Sequence, residues 1–273
     1  MPRFAERDLV GGRSADRGRK GPPVDPQPLF MRRTLDFWDE DSGYHFVAAT
    51  PQGEPDLWVQ FLDGARAAYR RFGAEGALEY ESIRDGTSTS LFFAAVTTDG
   101  VVQGGSRAQG PYGSGRESHA FREWTDPGIR ARIARILDAY VPHGLIEVKS
   151  TWVGSGAVRR HELSAGVART LTYSMELLGT RYLVATSAST AVARWQEVGA
   201  EIVDEIPPCP YPDDRYRTHL IVWDVERCRS ERRSRELEKL LASDAAPGFT
   251  YMSSLLPLRS LERGDLKESG GEM

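Results

Sequence analysis

The sequence predicts a mixed α/β fold, in which a central sheet carries helices on both faces. Two observations lead to this. Apolar residues between about residues 44 and 225 alternate between the period of a strand and the period of a helix. The runs follow the order strand, helix, hairpin, helix, strand, helix, strand, helix, strand, strand. A hairpin followed by strand–helix units predicts a sheet with both antiparallel and parallel pairs.

Composition narrows the classes of function. The 273 residues are 40% hydrophobic and 27% charged, which is ordinary for a globular protein. A net charge of −4 gives no reason to expect nucleic-acid binding. Cys209 and Cys228 form neither a disulfide framework nor a ligand-spaced cluster with histidines, so no metal site is predicted. They indicate a reducing compartment.

The chain divides into three predicted parts. Residues 1–29 read as a disordered basic leader, residues 30–225 as one folded domain, and residues 226–273 as a charged helix and tail. The leader is either a solvated tail or a contact for an acidic partner. It contains no apolar stretch of the length of a signal peptide or membrane span, so a cytoplasmic protein is expected.

The first half of the domain begins with a strand, YHFVAAT (44–50), which Pro51 ends. A helix follows from Pro55, with apolar residues at helical spacing. The segment EGALEYESI reads equally as a second helix or as an extended arm. Two β-rich runs around Asp99-Gly100 predict a hairpin with a tight primed turn. DPGIRARIARILDAY predicts a helix with Asp126 as its N-cap.

The second half begins with the strand LIEVKSTWV. A helix is predicted from about Ser164 to Leu178, with Gly179 as its C-cap. The remaining elements are a strand (RYLVATSA), a helix (STAVARWQEVG), two strands (AEIVDEIP and YRTHLIVWDV) and a charged helix (RSERRSRELEKLLA).

Three stretches carry a resemblance to a known family. VVQGGSRAQGPY resembles the "G-C-x-R-L-x-P" strand of the acyl-homoserine-lactone synthases and places Arg107 on its arginine. Residues 112–142 match a helical segment that this family inserts between its third and fourth strands. IEVKSTWV resembles the "W-E-x-S-R-F-x-V" strand, with Glu147 on its glutamate. Lys149-Ser150 replaces the Ser-Arg pair, which argues against a homoserine-lactone product and leaves open the related N-acyl amino acid synthases, which share the insertion.

Together with the element order, these stretches make the chain resemble the GNAT acyltransferases. The resemblance implies a splayed mixed sheet with the insertion after the third strand. It implies an N-acyltransferase without a tightly bound cofactor, which moves an acyl group from acyl-CoA or an acyl-carrier protein to an amine such as an amino acid. The alternatives are an acetyl-CoA-dependent N-acetyltransferase of a small amine or a protein, and a catalytically silent binding domain.

The family's phosphate-binding pattern, "Q/R-x-x-G-x-G/A", falls on LSAGVA in this chain. Unsatisfied amides and the positive end of a helix attract phosphate there. The resemblance therefore implies a donor phosphate site made by Arg159, Arg160, Ser164, Gly166 and Ala168. The alternatives are close helix packing for the two small residues and simple solvation for the two arginines.

Glu147 is the predicted general base, because amine acylation requires a proton acceptor for the nucleophile. Strand alternation places Leu145, Glu147 and Lys149 on one face. A glutamate in the middle of a central strand is costly to bury without a partner or a task. The alternative is a structural ion pair of Glu147 with Lys149 or Arg107.

Four further residues complete the predicted site. Arg107 is expected to bind an acceptor carboxylate or to orient Glu147, or else to be an exposed strand arginine. Tyr173 is expected to protonate the leaving thiolate, with core packing as the alternative. Arg215 and Tyr216, in the loop before the last strand, are expected to shape the acceptor pocket.

Overall fold

The structure is a computed structural model that describes residues 34–231. The predicted leader (1–29) lies outside the described residues. So does most of the predicted charged helix and tail (226–273). No helix within the described range is long and apolar enough to cross a membrane.

Eight strands in the described part of the chain form one sheet, in the order β1-β2-β3-β4-β5-β6-β8-β7. The strands are β1 (Leu35–Asp39), β2 (Tyr44–Ala49), β3 (Leu91–Val96), β4 (Val102–Gln109), β5 (Leu145–Val153), β6 (Tyr182–Ala188), β7 (Glu201–Ile202) and β8 (Thr218–Asp224). All neighbours are antiparallel except β5 and β6, which are parallel. The predicted mixed sheet is confirmed.

Seven α-helices accompany the sheet among these residues: α1 (Pro55–Arg71), α2 (Tyr80–Ile83), α3 (Ala120–Glu123), α4 (Pro127–Tyr140), α5 (Arg160–Leu178), α6 (Ser189–Gln196) and α7 (Val225–Glu231). Short 3-10 turns cover Glu75–Leu78, Gly115–Glu117 and Val141–His143. EGALEYESI is therefore helical, as a 3-10 turn followed by α2.

Strand alternation divides the core between the two faces of the sheet. On one face, Trp58 and Phe61 of α1 pack around Phe92 of β3. On the other face, Phe93 of β3 packs in a cluster with Leu171 of α5. The sheet is thus covered on both sides, as the sequence predicts.

The inserted segment lies between β4 and β5 and has its own apolar cluster. Ile133 and Leu137 of α4 pack with Leu145 of β5 and Val184 of β6. The predicted start of α4 is confirmed, because the Asp126 carboxylate accepts a hydrogen bond from the Ile129 N–H at 2.8 Å. This cluster fixes α3 and α4 over the beginning of β5.

Four features of the fold differ from the sequence predictions. β1 was not predicted, so the insertion follows the fourth strand rather than the third. β7 has only two residues, because AEIVDEIP pairs with β8 only at Glu201 and Ile202. The hairpin turn is not a primed turn: Gly100 has positive φ, but Asp99 does not. α5 begins at Arg160, one turn before the predicted Ser164.

The sheet opens between β5 and β6. Their parallel ladder pairs only three residues on each strand and ends at Glu147 and Val184. Just beyond, the register of β5 against β4 shifts, and Ser150 adopts φ of 52°. A bulge of this kind bends the strand and increases its twist. The two strands therefore diverge and leave a cleft between them.

Candidate active site

The cleft encloses a cavity of about 250 Å³. Its inner part is apolar and includes Leu171, Trp195 and Trp223. The polar lining comes from the diverging strands and from the loop before β8, and it includes Lys149, Ser150, Thr186, Ser187, Tyr211 and Tyr216. The cavity therefore joins an apolar end to a polar wall, which suits a ligand with a reactive centre and an apolar group.

Lys149 and Thr186 of the polar lining belong to a buried charged cluster. The Lys149 ammonium donates to Glu123 Oε1 at 2.7 Å and lies 2.8 Å from His119 Nδ1. His119 Nδ1 also lies 2.8 Å from Glu123 Oε1. The Thr186 hydroxyl donates to the same oxygen at 3.0 Å. β5, β6 and the inserted segment meet at this single carboxylate.

The cluster includes a second carboxylate, which contacts the other nitrogen of the His119 ring. His119 Nε2 lies 3.0 Å from Glu79 Oε2, and Glu79 is partly exposed. The His119 ring also lies edge-on to Tyr211 of the cleft, at a centroid distance of 6.1 Å. His119 is thus held between two carboxylates, with a lysine beside it. Such a histidine is well placed to accept and release protons.

The charged groups of the cluster shift one another's pKa values. Burial raises the pKa of Glu123, but Lys149 and His119 lower it more, so the pKa falls to about 2. Burial lowers the pKa of Lys149, but Glu123 and Glu147 raise it more, and it lies above its ordinary value. At neutral pH the cluster therefore contains a carboxylate and an ammonium ion.

Two tyrosine hydroxyls face the same cleft. Burial raises the pKa of Tyr69 above its ordinary value. Burial, followed by the charge of Glu123, raises that of Tyr211. Both phenols are protonated at neutral pH and can donate a hydrogen bond to a ligand in the cleft.

Glu147, the predicted base, is fully buried beside this cluster. Its Oε2 accepts from the Tyr112 hydroxyl at 2.8 Å and from the His119 N–H at 2.7 Å, and its Oε1 accepts from the Ala120 N–H at 3.0 Å. These are neutral donors, and two are the backbone N–H groups of the N-cap residue and the first residue of α3. The geometry favours a structural role, although a role as base stays a prediction.

Strand alternation explains how β5 holds α3. Glu147 and Lys149 point to the same side, as the sequence predicts, and both reach the inserted segment. The carboxylate of Glu147 lies at the N-terminal end of α3, and the ammonium of Lys149 pairs with Glu123 in its last position. The predicted alternative, an ion pair between Glu147 and Lys149, is replaced by these separate contacts.

Arg107 is buried, so the predicted alternative of an exposed arginine is wrong. Its Nε donates to the Ser150 hydroxyl at 3.1 Å, and one terminal nitrogen donates to the Thr89 hydroxyl at 3.3 Å. Burial lowers its pKa, which the charge of Glu147 partly offsets. Arg107 thus supports the bulge at Ser150, and contact with an acceptor stays a prediction.

Tyr173 lies in the core on the α5 face of the sheet. Its ring lies 6.0 Å from that of Phe37 and 6.5 Å from that of Phe93. It does not belong to the lining of the cleft, whereas Tyr69 and Tyr211 do. This placement favours the packing alternative for Tyr173.

The start of α5 carries three of the predicted phosphate-binding residues. Arg159 is in the left-handed conformation and donates to the carbonyl oxygens of Glu40 and Asp41, at 3.3 and 3.1 Å. Arg160 donates to the Gly154 carbonyl at 3.3 Å. The Ser164 hydroxyl accepts from Arg194 of α6 at 2.8 Å, which brings a further cation to the start of α5.

Gly166 and Ala168 lie elsewhere than the predicted cradle requires. Because α5 begins at Arg160, both residues lie inside the helix and face the core. A Cβ on Gly166 would approach the Phe46 ring to 2.8 Å and the Asp39 carboxylate to 3.1 Å. The geometry therefore favours the packing alternative for both residues.

Arg215 and Tyr216 fasten the loop before β8 to the end of α1. Arg215 pairs with Asp213 at 2.7 Å and donates to the Gly73 carbonyl at 2.9 Å. The Tyr216 hydroxyl donates to the Phe72 carbonyl at 2.7 Å. Tyr216 also lines the cleft. An acceptor contact by Tyr216 stays a prediction that this placement supports.

Sequence reasoning did not find the Glu123–Lys149–His119 cluster. Lys149 lies 26 residues after Glu123 and 30 residues after His119 along the chain, and the three residues match no motif. One signal was present: Lys149 lies on the same strand face as Glu147, next to an inserted segment that contains a histidine and acidic residues. The described residues contain no group of His, Cys, Asp or Glu that could hold a metal ion.

Comparison with known proteins shows the family to which this chain belongs. No family model matches the chain. The uncharacterized protein Rv1356c of Mycobacterium tuberculosis is 39% identical over 220 residues, which are 80% of this chain and 83% of that protein. This chain belongs to the same family as the mycobacterial protein.

Solved structures with a similar course of the chain include two acyltransferases. FeeM, an N-acyl amino acid synthase from uncultured soil microbes, is 14% identical with a TM-score of 0.47, covering 64% of this chain and 95% of FeeM. The GNAT family N-acetyltransferase YhbS from Escherichia coli is 15% identical with a TM-score of 0.40, covering 60% of this chain and 76% of YhbS. The sheet order, the single parallel pair and its splay agree with the mixed, splayed sheet that the sequence predicts.

Proposed function

We propose that this protein is an N-acyltransferase that moves an acyl group from a thioester to a primary amine in the cleft between β5 and β6. One observation carries the proposal: the parallel ladder stops after three residue pairs, and the ammonium of a buried ammonium–carboxylate–imidazole cluster lines the opening. Beyond Glu147, the edge of β5 that faces β6 has no strand partner among residues 34–231. Such an edge can bind an extended, amide-bearing arm through backbone hydrogen bonds.

The reaction requires one proton to be removed and one to be returned. The amine nitrogen attacks the thioester carbonyl carbon, the C–N bond forms, and the C–S bond breaks to release a thiol. His119 lies behind Lys149, with its Nδ1 2.8 Å from the Lys149 Nζ, and is placed to take the proton of the attacking amine through Lys149 or a water. Holding the amine and the thioester side by side supplies much of the remaining rate enhancement.

Lys149 and the tyrosines have different parts in this scheme. The Lys149 ammonium faces the cleft and stabilises negative charge that develops on the thioester oxygen. Tyr69 and Tyr211 are protonated and can donate to the departing thiolate. They take the role that the sequence suggested for Tyr173. Glu147 and Arg107 position α3 and the Ser150 bulge respectively.

The donor enters past the first turn of α5. Free N–H groups of that turn, together with Arg160 and Arg194, form a basic rim. Such a rim suits the pyrophosphate of coenzyme A and also the acidic surface of an acyl-carrier protein. Carrier-protein binding would weaken as salt is raised, because the contact lies on the surface.

Cleft size favours a short acyl group. A cavity of about 250 Å³ lies below the usual range for small-molecule sites, which is roughly 300–1,000 Å³. Trp195 and Trp223 close its apolar end. Acetyl-CoA-dependent acetylation is therefore a specific form of the proposal, and a fatty acyl group requires these side chains to move.

The test is a transfer assay with purified protein. Thiol release and product mass are followed with acyl-CoA donors from acetyl to palmitoyl, with an acyl-carrier thioester, and with a mixture of amino acids, polyamines and amino sugars as acceptors. His119→Gln is compared with His143→Gln, because His143 is an exposed histidine away from the cleft. We expect N-acylated product, a loss of roughly 100-fold or more in His119→Gln, and none in the control. Absence of product from every donor, or equal rates for the two variants, would refute the proposal.

A further inference from the structure

Glu79 is the carboxylate of the cluster around His119 that reaches solvent. Its Oε2 lies 3.0 Å from His119 Nε2, and its side chain is 44% exposed, whereas the side chain of Glu123 is fully buried. Glu79 and His119 also line a second cavity, of about 500 Å³, to which Lys149 does not belong. The two carboxylates therefore contact different nitrogens of one imidazole, one from solvent and one from the core.

The helical segment between α1 and β3 holds Glu79 at this point. Leu78 and Ile83 are buried on either side of it and pack in the core cluster that includes α1. The Tyr80 hydroxyl donates to Asp63 of α1 at 2.8 Å. Between these anchors Glu79 has a φ of 52°, in a region that non-glycine residues seldom adopt and that is concentrated at functional sites. The fold therefore fixes the direction from which this carboxylate approaches the imidazole.

The contacts of the ring decide which of its nitrogens carries the proton. An ammonium has only N–H groups to offer, so His119 Nδ1 accepts from Lys149 Nζ at 2.8 Å. The neutral imidazole then carries its proton on Nε2, from which the Glu79 carboxylate accepts it. Glu123 Oε1 favours the other tautomer, because it lies 2.8 Å from Nδ1 and could accept from an N–H there. Glu79 is the contact that favours the proton on Nε2.

We propose that Glu79 is a positioning residue of the acyl transfer, which holds the His119 proton on Nε2 and so keeps Nδ1 free to take a proton from Lys149. The inference rests on the proposed function, because it explains how Lys149 becomes the amine that deprotonates the acceptor. The imidazolium that forms lies between Glu79 and Glu123, and both carboxylates stabilise it. Tyr211, the other titratable group against the ring, lies edge-on to it.

The steps conserve protons over one cycle with a neutral acceptor amine. The Lys149 ammonium passes a proton to His119 Nδ1, and the resulting Lys149 amine takes the proton that the acceptor nitrogen loses as the C–N bond forms. Lys149 is thus an ammonium again when negative charge lies on the thioester oxygen. The C–S bond then breaks, and the departing thiolate takes a proton from a phenol of the cleft, which Lys149 replaces. His119 finally returns its Nδ1 proton to Lys149, while the Nε2 proton stays beside Glu79 throughout.

The tautomer is measured by NMR on protein that carries isotope-labelled histidine, without donor or acceptor. The chain has five histidines, and the ring signals that are absent from His119→Gln belong to His119. Glu79→Met removes the acceptor at Nε2, and Glu79→Gln keeps an acceptor there without its charge. Glu81→Met is the matched control, because Glu81 lies in α2 with a side chain that is 77% exposed.

We expect the Nε2–H tautomer in wild type and in Glu81→Met. Glu79→Met should shift His119 towards the Nδ1–H tautomer, because Glu123 is then the carboxylate that remains to accept from the ring. In the transfer assay, Glu79→Met should lose about tenfold or more in kcat with unchanged KM, the effect of one charge-assisted hydrogen bond. Glu79→Gln should lose less, and Glu81→Met nothing.

An unchanged tautomer in Glu79→Met, or the Nδ1–H tautomer in wild type, would overturn the inference. An unchanged kcat in Glu79→Met would do so as well, and would leave the transfer reaction itself established. A tautomer that depends on Glu79 in a protein that transfers no acyl group from any donor would instead refute the proposed function, and with it the catalytic part of this inference.

Discussion

Two buried carboxylates, Glu147 and Glu123, connect β5 to the inserted segment in opposite ways. Glu147 accepts three hydrogen bonds from neutral donors, two of them backbone N–H groups at the N-cap and the first residue of α3. Glu123 contacts the charged Lys149 and the titratable His119, and its Oε2 has no hydrogen-bond partner in the described part of the chain. Both oxygens of the Glu147 carboxylate accept hydrogen bonds, whereas one oxygen of the Glu123 carboxylate accepts none in the described part of the chain.

The difference teaches how the same residue type is used for structure and for chemistry. A carboxylate that accepts only neutral N–H and O–H groups fixes those groups in place and has no proton to exchange with them. A carboxylate between an ammonium and an imidazole sets the charge of both and can stabilise a protonated histidine. Three predictions test this division and a fourth tests the role of α5, from the largest expected effect to the smallest.

Lys149→Met should cause the largest loss of stability, because it leaves the Glu123 carboxylate buried without its cation. Breaking a buried ion pair from one side typically costs about 3–5 kcal/mol. Urea denaturation gives the free energy of unfolding. Arg84→Met is the control, since the exposed Arg84–Glu81 pair at 3.9 Å should contribute no more than about 1 kcal/mol. Similar losses in both variants would contradict the account.

Acid should destabilise the protein through Glu123. Its folded-state pKa of about 2 is below the unfolded value of 4.5, so its contribution is present above pH 4.5 and is lost as pH falls towards 2. The lowering of the Glu123 pKa corresponds to a contribution on the order of 3 kcal/mol to the free energy of unfolding. Urea midpoints between pH 7 and 2.5 should fall less steeply in Glu123→Gln than in wild type. Parallel curves for the two proteins would show that Glu123 is not the titrating group.

Glu147→Gln should lower stability while leaving the chemistry of folded protein within a few-fold of wild type. The amide replaces one accepting oxygen with a donor that faces an N–H or O–H group. A buried group left unsatisfied costs about 1–3 kcal/mol. Melting temperature and kcat are measured together, with Glu81→Gln as control. An unchanged melting temperature with a loss of activity near 100-fold would restore Glu147 as the base.

Gly166→Ala separates packing from phosphate binding at α5. The added Cβ would lie 2.8 Å from the Phe46 ring, and overpacking of this kind costs about 1–3 kcal/mol, partly offset by the higher helix propensity of alanine. The KM for the thioester donor should not change. Gly156→Ala is the control, because a Cβ there meets no atom within 4 Å. A raised KM with unchanged stability would instead indicate the phosphate cradle.

Much of the fold could be predicted from local patterns. Asp126 as an N-cap, Gly179 as a C-cap and the alternation in β5 follow from short-range chemistry, and the structure has all three. β1 was missed because its five residues form a strand only by pairing with β2. The start of α5 was missed because Arg159 adopts a left-handed conformation that no local propensity indicates.

The candidate site was harder to predict than the fold. The sequence pattern singled out Glu147. This residue lies at the expected position in the sheet, but its carboxylate accepts hydrogen bonds from neutral donors only. Glu123 could not be singled out, because its importance depends on Lys149 and Thr186, which come from two different strands. Local periodicity carries no information about which side chains a splayed sheet and an insertion bring together.

The most direct test of the central claim compares Glu123→Gln with Glu147→Gln in the same thioester-to-amine transfer assay, with kcat corrected for the folded fraction. The account predicts a loss of roughly 100-fold or more for Glu123→Gln, because proton transfer by His119 depends on its carboxylate. It predicts near wild-type kcat for the folded fraction of Glu147→Gln. The opposite ranking would contradict the account and place the chemistry at Glu147.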